Sequence, residues 1–306
     1  MDFLLKFDTK GKFKIVQFTD IHEGPELDEG ISVMRKILDY EKPNLVVLTG
    51  DNIDGKCKTA QDVKMAISHI ASPMENRKIP WTIVFGNHDD EHGIMSKEEM
   101  MKFYMSFKYN ISQIGYRTFD RVGNYNLIVE GSKNKTPVIN LYFIDSGKYA
   151  PFFVGGYNWI KLTQILWYRK IALGLKQRYN KIIPSLMYFH IPIPEYKKAW
   201  RRGKPKGEKL DSIDSPLINI CGGLFRVLIN TKDVIGVFVG HDHFNNFVVK
   251  YKGILLGYAG YTGYGGYGDS KIPRGARVIL VNETNPTDIK TWLRREGDGE
   301  LRKLYN

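Results

Sequence analysis

Seven polar residues stand where apolar runs of this chain end: Asp20, His22, Asp51, Asn87, His190, His241 and His243. Two carboxylates, an amide and four imidazoles make up the set. One borderline divalent ion takes about four to six such ligands, and seven with one carboxylate shared serve two ions of the Zn, Mn or Fe type. Asp51 is read as the shared one. No thiolate joins the set, so a zinc-finger or iron–sulfur reading fails. Each block alone has a plainer reading: an Asp-x-His after a strand as local hydrogen bonding, Gly86-Asn87-His88-Asp89 as a turn. Their joint occurrence points to a metal pair, because a carboxylate at the end of a buried strand is costly unless a cation or hydrogen bonds compensate it.

The elements that must position these residues follow from periodicity. Phe13–Thr19, Leu45–Thr49, Trp81–Phe85, Ile182–Phe189 and Val234–Val239 are apolar runs of strand length, and each is followed by part of the set. Helical spacing marks 28–40, 60–70 and 96–107, with Pro43 and Pro73 as stops and Ser96 as an N-cap followed by Glu98 and Glu99. Strand and helix alternate through the first third, the mark of a sheet with helical crossovers, whose ligands collect at the carboxyl ends of the strands. Tyr125–Glu130 and Val138–Ile144, joined by a turn-like link, suggest a second, more antiparallel sheet. A long helix is expected over 158–179, and strands at 247–251, 254–258 and 276–281. The Gly- and Tyr-rich stretch 260–269 reads as a surface loop that packs or binds something. No linker divides the chain, so a single four-layer α/β domain over 1–306 is the simplest account.

Composition bounds the rest. With 306 residues, 42% hydrophobic and 25% charged, the chain reads as an ordinary globular protein. No apolar run approaches the ~18 residues of a membrane span. The N-terminus lacks a secretory signal pattern, so a cytoplasmic location is the expectation. Cys57 and Cys221 are read as free thiols. The net charge of +12 suits anionic partners. Lys197, Lys198, Arg201, Arg202, Lys204, Lys206 and Lys209 crowd one segment, either an anion-facing loop at the rim of the site or a solvated surface. His69 reads as a surface or core histidine. His92 lies close to the site in sequence; it is counted with Asn87 and His88 as substrate-contacting, against a merely solvated alternative.

The blocks Asp20-Ile21-His22, Gly50-Asp51-Asn52-Ile53-Asp54, Gly86-Asn87-His88-Asp89, His190 and Gly240-His241-Asp242-His243 together resemble the pattern of the calcineurin-like metallophosphoesterases. The stretches 189–196, 241–246 and 274–279 further resemble its fungal and plant purple-acid-phosphatase-like branch, which includes fungal protein phosphatases linked to cell-cycle control. The resemblance implies the metallo-dependent phosphatase fold, an αββα sandwich (α+β in some schemes). It implies two divalent metal ions, one held by Asp20, His22, Asp51 and His243, the other by Asp51, Asn87, His190 and His241. Asp51 would bridge them at ~3.5–4 Å. His88 would be the catalytic acid or electrostatic stabiliser, oriented by a catalytic Asp54. True purple acid phosphatases carry their ferric-binding tyrosine three residues after the bridging aspartate, where this chain has Asp54, so Fe(II), Mn(II) or Zn(II) is favoured over Fe(III).

The activity so implied is phosphomonoester hydrolysis. Hydroxide from an acidified metal-bound water is expected to attack phosphorus in line, with His88 assisting the leaving alkoxide and no phosphoenzyme formed. The substrate would be a phosphoprotein or a small phosphorylated compound. Phosphodiesterase or nucleotidase action on the same site is the nearest alternative, nucleic acid being a less favoured partner, and a non-catalytic scaffold is the alternative of another class.

Overall fold

The computed structural model describes residues 4–26, 28–118, 121–217 and 222–298. In chain order its elements are β1 (Leu5–Lys6), β2 (Lys12–Phe18), α1 (Glu29–Glu41), β3 (Leu45–Thr49), α2 (Ala60–Arg77), β4 (Trp81–Val84), α3 (Lys97–Tyr104), β5 (Tyr116–Thr118), β6 (Arg121–Glu130) and β7 (Pro137–Phe143). They continue with α4 (Leu162–Tyr179), β8 (Ser185–Tyr188), α5 (Glu195–Arg202), α6 (Gly222–Thr231), β9 (Val234–Val239), β10 (Val248–Tyr251), β11 (Ile254–Tyr258), β12 (Gly275–Asn282) and β13 (Asn285–Arg295).

The strands form two mixed sheets. One has the order β13-β12-β2-β3-β4, with β2, β3 and β4 parallel. The other has the order β1-β6-β7-β8-β9-β11-β10, with β5 paired to β6 and with β7, β8, β9 and β11 parallel. Among the described residues the second sheet is therefore antiparallel at its β5–β6, β6–β7 and β10–β11 pairs.

Burial on both faces explains why the central strands are apolar throughout. Leu45 and Val47 of β3 join Ile15 of β2, Leu186 of β8 and Phe238 of β9 in a core between the two sheets. Val46 and Leu48 point the other way, into a core shared with α1, α2 and α3. Val237 and Val239 of β9 pack into a third core under α4, α5 and α6. Four layers result, helices outside and sheets inside, as the α/β sandwich reading requires.

Three elements depart from their periodicity. Helix α2 runs through Pro73 to Arg77 instead of stopping there. Proline cannot donate to the carbonyl four residues back. That carbonyl, of His69, accepts instead from the Ser72 hydroxyl at 2.9 Å. Helix α4 begins at Leu162 rather than 158, with the Gln164 side chain reaching back to accept from the Lys161 N–H at 2.7 Å. The basic segment is no single loop: its first part is α5, and its continuation bridges the β10 region through Lys206 and Val248 and through Lys209 and Asn245. Cys57 is a buried free thiol, and Cys221 lies outside the described residues.

Candidate metal centre

The loops leaving β2, β3, β4, β8 and β9 converge at one end of the two sheets. Gln17 ties the sheets together just below, donating to Thr49 Oγ1 at 2.8 Å and to the Val239 carbonyl at 3.2 Å. Each chain reversal is tight. Asp20, His22, Asp51 and His241 all have positive φ, between 50° and 78°. Left-handed backbone costs a non-glycine residue roughly 1–2 kcal/mol, so surrounding contacts must hold these four. Gly50, at φ 90°, permits the closest approach: a Cβ there would lie 2.6 Å from the Gly86 nitrogen and 2.8 Å from the His190 ring.

Two buried clusters result. Asp20, His22 and His243 offer ligand atoms within 4.8 Å of one another, and so do Asp51, His190 and His241. Asp51 Oδ2 lies 3.0 Å from His190 Nε2 and 3.9 Å from His22 Nε2, so one carboxylate oxygen faces both clusters. His243 Nε2 is 3.4 Å from Asp20 Oδ1 and 3.3 Å from His22 Nε2.

Hydrogen bonds behind the clusters fix which ring nitrogen faces inward. His190 Nδ1 donates to the Thr49 carbonyl at 2.8 Å, and His243 Nδ1 to the Tyr267 carbonyl at 2.6 Å. Both arrangements leave Nε2 for a cation, as outer partners of metal-bound histidines do. Asp20 accepts from the Thr19 hydroxyl at 2.7 Å and from the His241 N–H at 3.0 Å. Asn87 is fully buried, and its amide has no well-formed hydrogen bond, with the Tyr149 hydroxyl close by. A buried amide so placed fits a cation, since an unsatisfied one costs free energy. The donor set, all oxygen and nitrogen, suits borderline divalent ions.

The charges are strongly coupled. Burial would raise the Asp51 carboxyl, but the imidazoles of His190, His22 and His88 outweigh it and hold it well below the carboxylate range. Burial would lower His190, yet Asp51 and Asp20 push it up to about 9. His241 falls to about 3, through burial and then the neighbouring His190. The clusters are built to neutralise excess negative charge with something positive, a proton here or a cation.

Above them opens a cavity of about 480 Å³. His22, Asp51, His88, His241 and His243 line its floor, and Asp54, Asp211, Asp214, Asp242, Tyr157 and Tyr267 stand around them. The Gly/Tyr-rich loop is one wall: Tyr267 stacks on His243 with ring centroids 3.8 Å apart. A Cβ on Gly266 would sit 2.6 Å from the His22 ring and 2.8 Å from that of His243. Arg274 lies over the Tyr264 and Tyr261 rings at 4.1 and 4.7 Å and pins this loop. Tyr258, at the foot of the loop, is buried and donates to Asp242 instead of rimming the cavity.

Three expectations need correction. None of the seven basic residues from Lys197 to Lys209 lines the cavity, because α5 and the β10 bridges carry them elsewhere. His92 does not line it either; its Nδ1 accepts from the Ile94 N–H at 2.9 Å, turning the ring into its own loop. Asp54 does line it but is not paired with His88. Its Oδ2 pairs with Lys56 Nζ at 2.9 Å, and its Oδ1 accepts from the Lys56 N–H at 2.8 Å. The carboxylate that meets His88 Nδ1 belongs to Glu91.

Glu91, Tyr149, Tyr157 and Asp211 escape sequence reasoning, and Asp89, the last residue of the Gly86–Asp89 block, is given no role there. Glu91 adjoins that block and could have been suspected. Tyr149, Tyr157 and Asp211 come from loops with no motif at all.

The calcineurin-like phosphoesterase family model matches residues 13–245 of the chain. The chain belongs to this family. As a calcineurin-like phosphoesterase it is 34% identical to a protein of Arabidopsis thaliana named "Probable inactive purple acid phosphatase 29", over 95% of this chain and 84% of that one. It is 34% identical to "Phosphatase DCR2" of Saccharomyces cerevisiae over 94% of this chain, which spans 54% of that longer protein. Its fold is similar to that of a dimetal phosphatase from Danio rerio, with a TM-score of 0.66 at 13% identity over 95% of this chain and 98% of that one. Membership brings phosphorylated substrates with it, and the two clusters suit a pair of divalent ions. Among the described residues no helix is long and apolar enough to cross a membrane.

Proposed function

We propose that this calcineurin-like phosphoesterase is an active phosphomonoesterase working with a pair of divalent ions. The observation that carries the reading is the position of Asp51 Oδ2, within 3.9 Å of an imidazole from each cluster. Asp20, His22, Asp51 and His243 would hold one ion, and Asp51, Asn87, His190 and His241 the other. Such a pair supplies Lewis-acid charge for phosphoryl oxygens and acidifies water near neutral pH.

The remaining work falls to the chain's own groups. His88 Nε2 lies 4.0 Å from Asp51 Oδ2 at the cavity, where it can hand a proton to a leaving oxygen. The His88 N–H donates to Asp51 Oδ1 at 2.8 Å, so ligand and acid move together. Tyr157 packs its ring against His241 at 4.3 Å and narrows the approach.

The cavity walls favour a monoester whose remainder is neutral or cationic. Asp211 and Asp214 line the cavity beside Asp54, which is paired with Lys56, and Asp242, which burial pushes up to about 7, without any Lys or Arg among the described lining residues. A nucleic acid or polyphosphate would bring further negative charge against these carboxylates. The scaffold alternative gains from the "inactive" in the name of the plant relative. A chain free of catalytic demand could lose ligands, whereas this one retains every residue of the two clusters, together with His88.

The test is hydrolysis of a mono-aryl against a bis-aryl phosphate by protein loaded with Mn(II), Fe(II) or Zn(II), with bound metal counted. Turnover of the monoester at close to two ions per chain is expected. Preference for the diester would move the assignment to phosphodiesterase. Under one ion per chain with no hydrolysis would leave the scaffold.

A further inference from the structure

We propose that Glu91, itself held by Tyr149, is the residue that positions His88, in place of Asp54. This rests on the phosphomonoesterase reading above.

The first observation is local. Glu91 lies one turn after His88, its N–H donating to the His88 carbonyl at 3.1 Å. Its Oε2 meets His88 Nδ1. With Nδ1 taken by a carboxylate, the ring turns Nε2 to the cavity. An isolated His–Glu pair at this spacing on a half-exposed surface contributes only about 0.2–0.5 kcal/mol and would hold no ring still.

The second observation changes that. Glu91 is gripped from the opposite sheet. The Tyr149 hydroxyl, on the loop after β7, donates to Glu91 Oε1 at 2.5 Å. Next to it Lys148 Nζ pairs with Asp90 Oδ2 at 3.1 Å. Two consecutive acids on one loop thus dock on two consecutive partners on another. Tyr149 is braced in turn: its backbone bridges that of Tyr157, and the two rings stack at 5.7 Å. Tyr157 then packs edge-on against His241. Both oxygens of Glu91 are therefore engaged, one by His88 and one by a tyrosine fixed against the metal cluster. Asp54 is engaged by Lys56, and among the described residues no hydrogen bond or ion pair joins it to the His88 ring.

A positioning role has a signature that a structural one lacks. Proton donation to the leaving oxygen matters most when that oxygen is a poor leaving group. Loss of an outer partner of this kind costs about 10–100-fold. Glu91→Ala should lower kcat for an alkyl phosphate by about tenfold or more, and kcat for p-nitrophenyl phosphate by less than about threefold. Glu91→Gln should fall between, with metal content unchanged in both Glu91 variants, and Tyr149→Phe should show a weaker form of the same split. Asp54→Asn should show no split. Equal losses on both esters for Glu91→Ala, or a split that follows Asp54→Asn instead, would overturn the proposal.

A second readout needs neither metal nor turnover. The ring ¹⁵N shifts of His88 in metal-free protein should show a proton held on Nδ1 in the wild type and a tautomer mixture in Glu91→Ala. Unchanged shifts would overturn the Glu91 contact. Wild-type protein that hydrolyses nothing but passes this measurement would sink the phosphomonoesterase reading and leave the contact standing.

Discussion

The Asp89 carboxylate carries the backbone on which Asp51 stands. Its Oδ2 accepts from the N–H groups of Gly86 at 2.6 Å and Asp51 at 3.0 Å, and its Oδ1 from those of Asn52 at 2.9 Å and Ile53 at 3.2 Å. Four buried donors thus converge on one acid, and they hold Asp51 in its left-handed conformation. Burial, then the nearby Asp51 charge, raises this carboxyl to about 6.

Replacing Asp89 should therefore be felt in stability and in metal retention together. Asp89→Ala leaves the four donors unpaired at about 1–3 kcal/mol each before relaxation. We expect a loss of about 3 kcal/mol or more in urea unfolding of the metal-free protein. Bound metal should fall as well. A variant that melts like wild type would show that the Asp51 turn holds itself.

Asp51 and His88 should separate metal binding from chemistry. Asp51→Asn removes the charge that faces both clusters, and metal analysis should find it depleted of ions and inactive. His88→Ala should keep its ions and lose about 10²–10⁴-fold in kcat, the usual contribution of a general acid. Loss of metal from His88→Ala would make His88 a ligand.

Glu41 offers a pH test remote from the cavity. Its buried carboxylate accepts from Arg294 Nε at 2.8 Å and Trp292 Nε1 at 3.1 Å, and it pairs with Lys14 Nζ at 3.1 Å. Burial alone would raise this acid; those partners outweigh it and leave it below the ordinary 4.5. A carboxyl lowered by folding contributes stability that is present above its unfolded value and is lost as pH falls through the folded one. Metal-free wild type should thus lose stability below about pH 4.5. Glu41→Gln should be less stable at pH 7 by about 3 kcal/mol and flatter below pH 4.5. Parallel curves for the two proteins would exclude Glu41 as a contributor.

The chemistry of this chain is legible where it coincides with strand ends. Runs such as Leu45–Thr49 are apolar because both their faces are buried, so the polar residues that follow them stand out. Strand β13 is hard to see for the opposite reason. Among the described residues it pairs only with β12, at a sheet edge, and its first half is largely exposed, so no apolar alternation announces it. Asp54 shows a different limit. A motif specifies which residue types are present, but the partner of each is chosen by rotamer and neighbour, and Lys56, two residues on, reaches Asp54 first. The supports of the site from Tyr149, Tyr157 and Asp211 depend on how the second sheet docks, which no local pattern encodes.

The four left-handed residues carry a consequence for handling the protein. Asp20, His22, Asp51 and His241 hold a costly backbone around the space a cation would fill. A cation that binds only the folded chain adds stability of RT ln(1 + [L]/Kd), about 2.7 kcal/mol at a hundredfold excess over Kd. The melting temperature is thus itself a gauge of occupancy. Different ions could be ranked by thermal shift alone, with no substrate in hand.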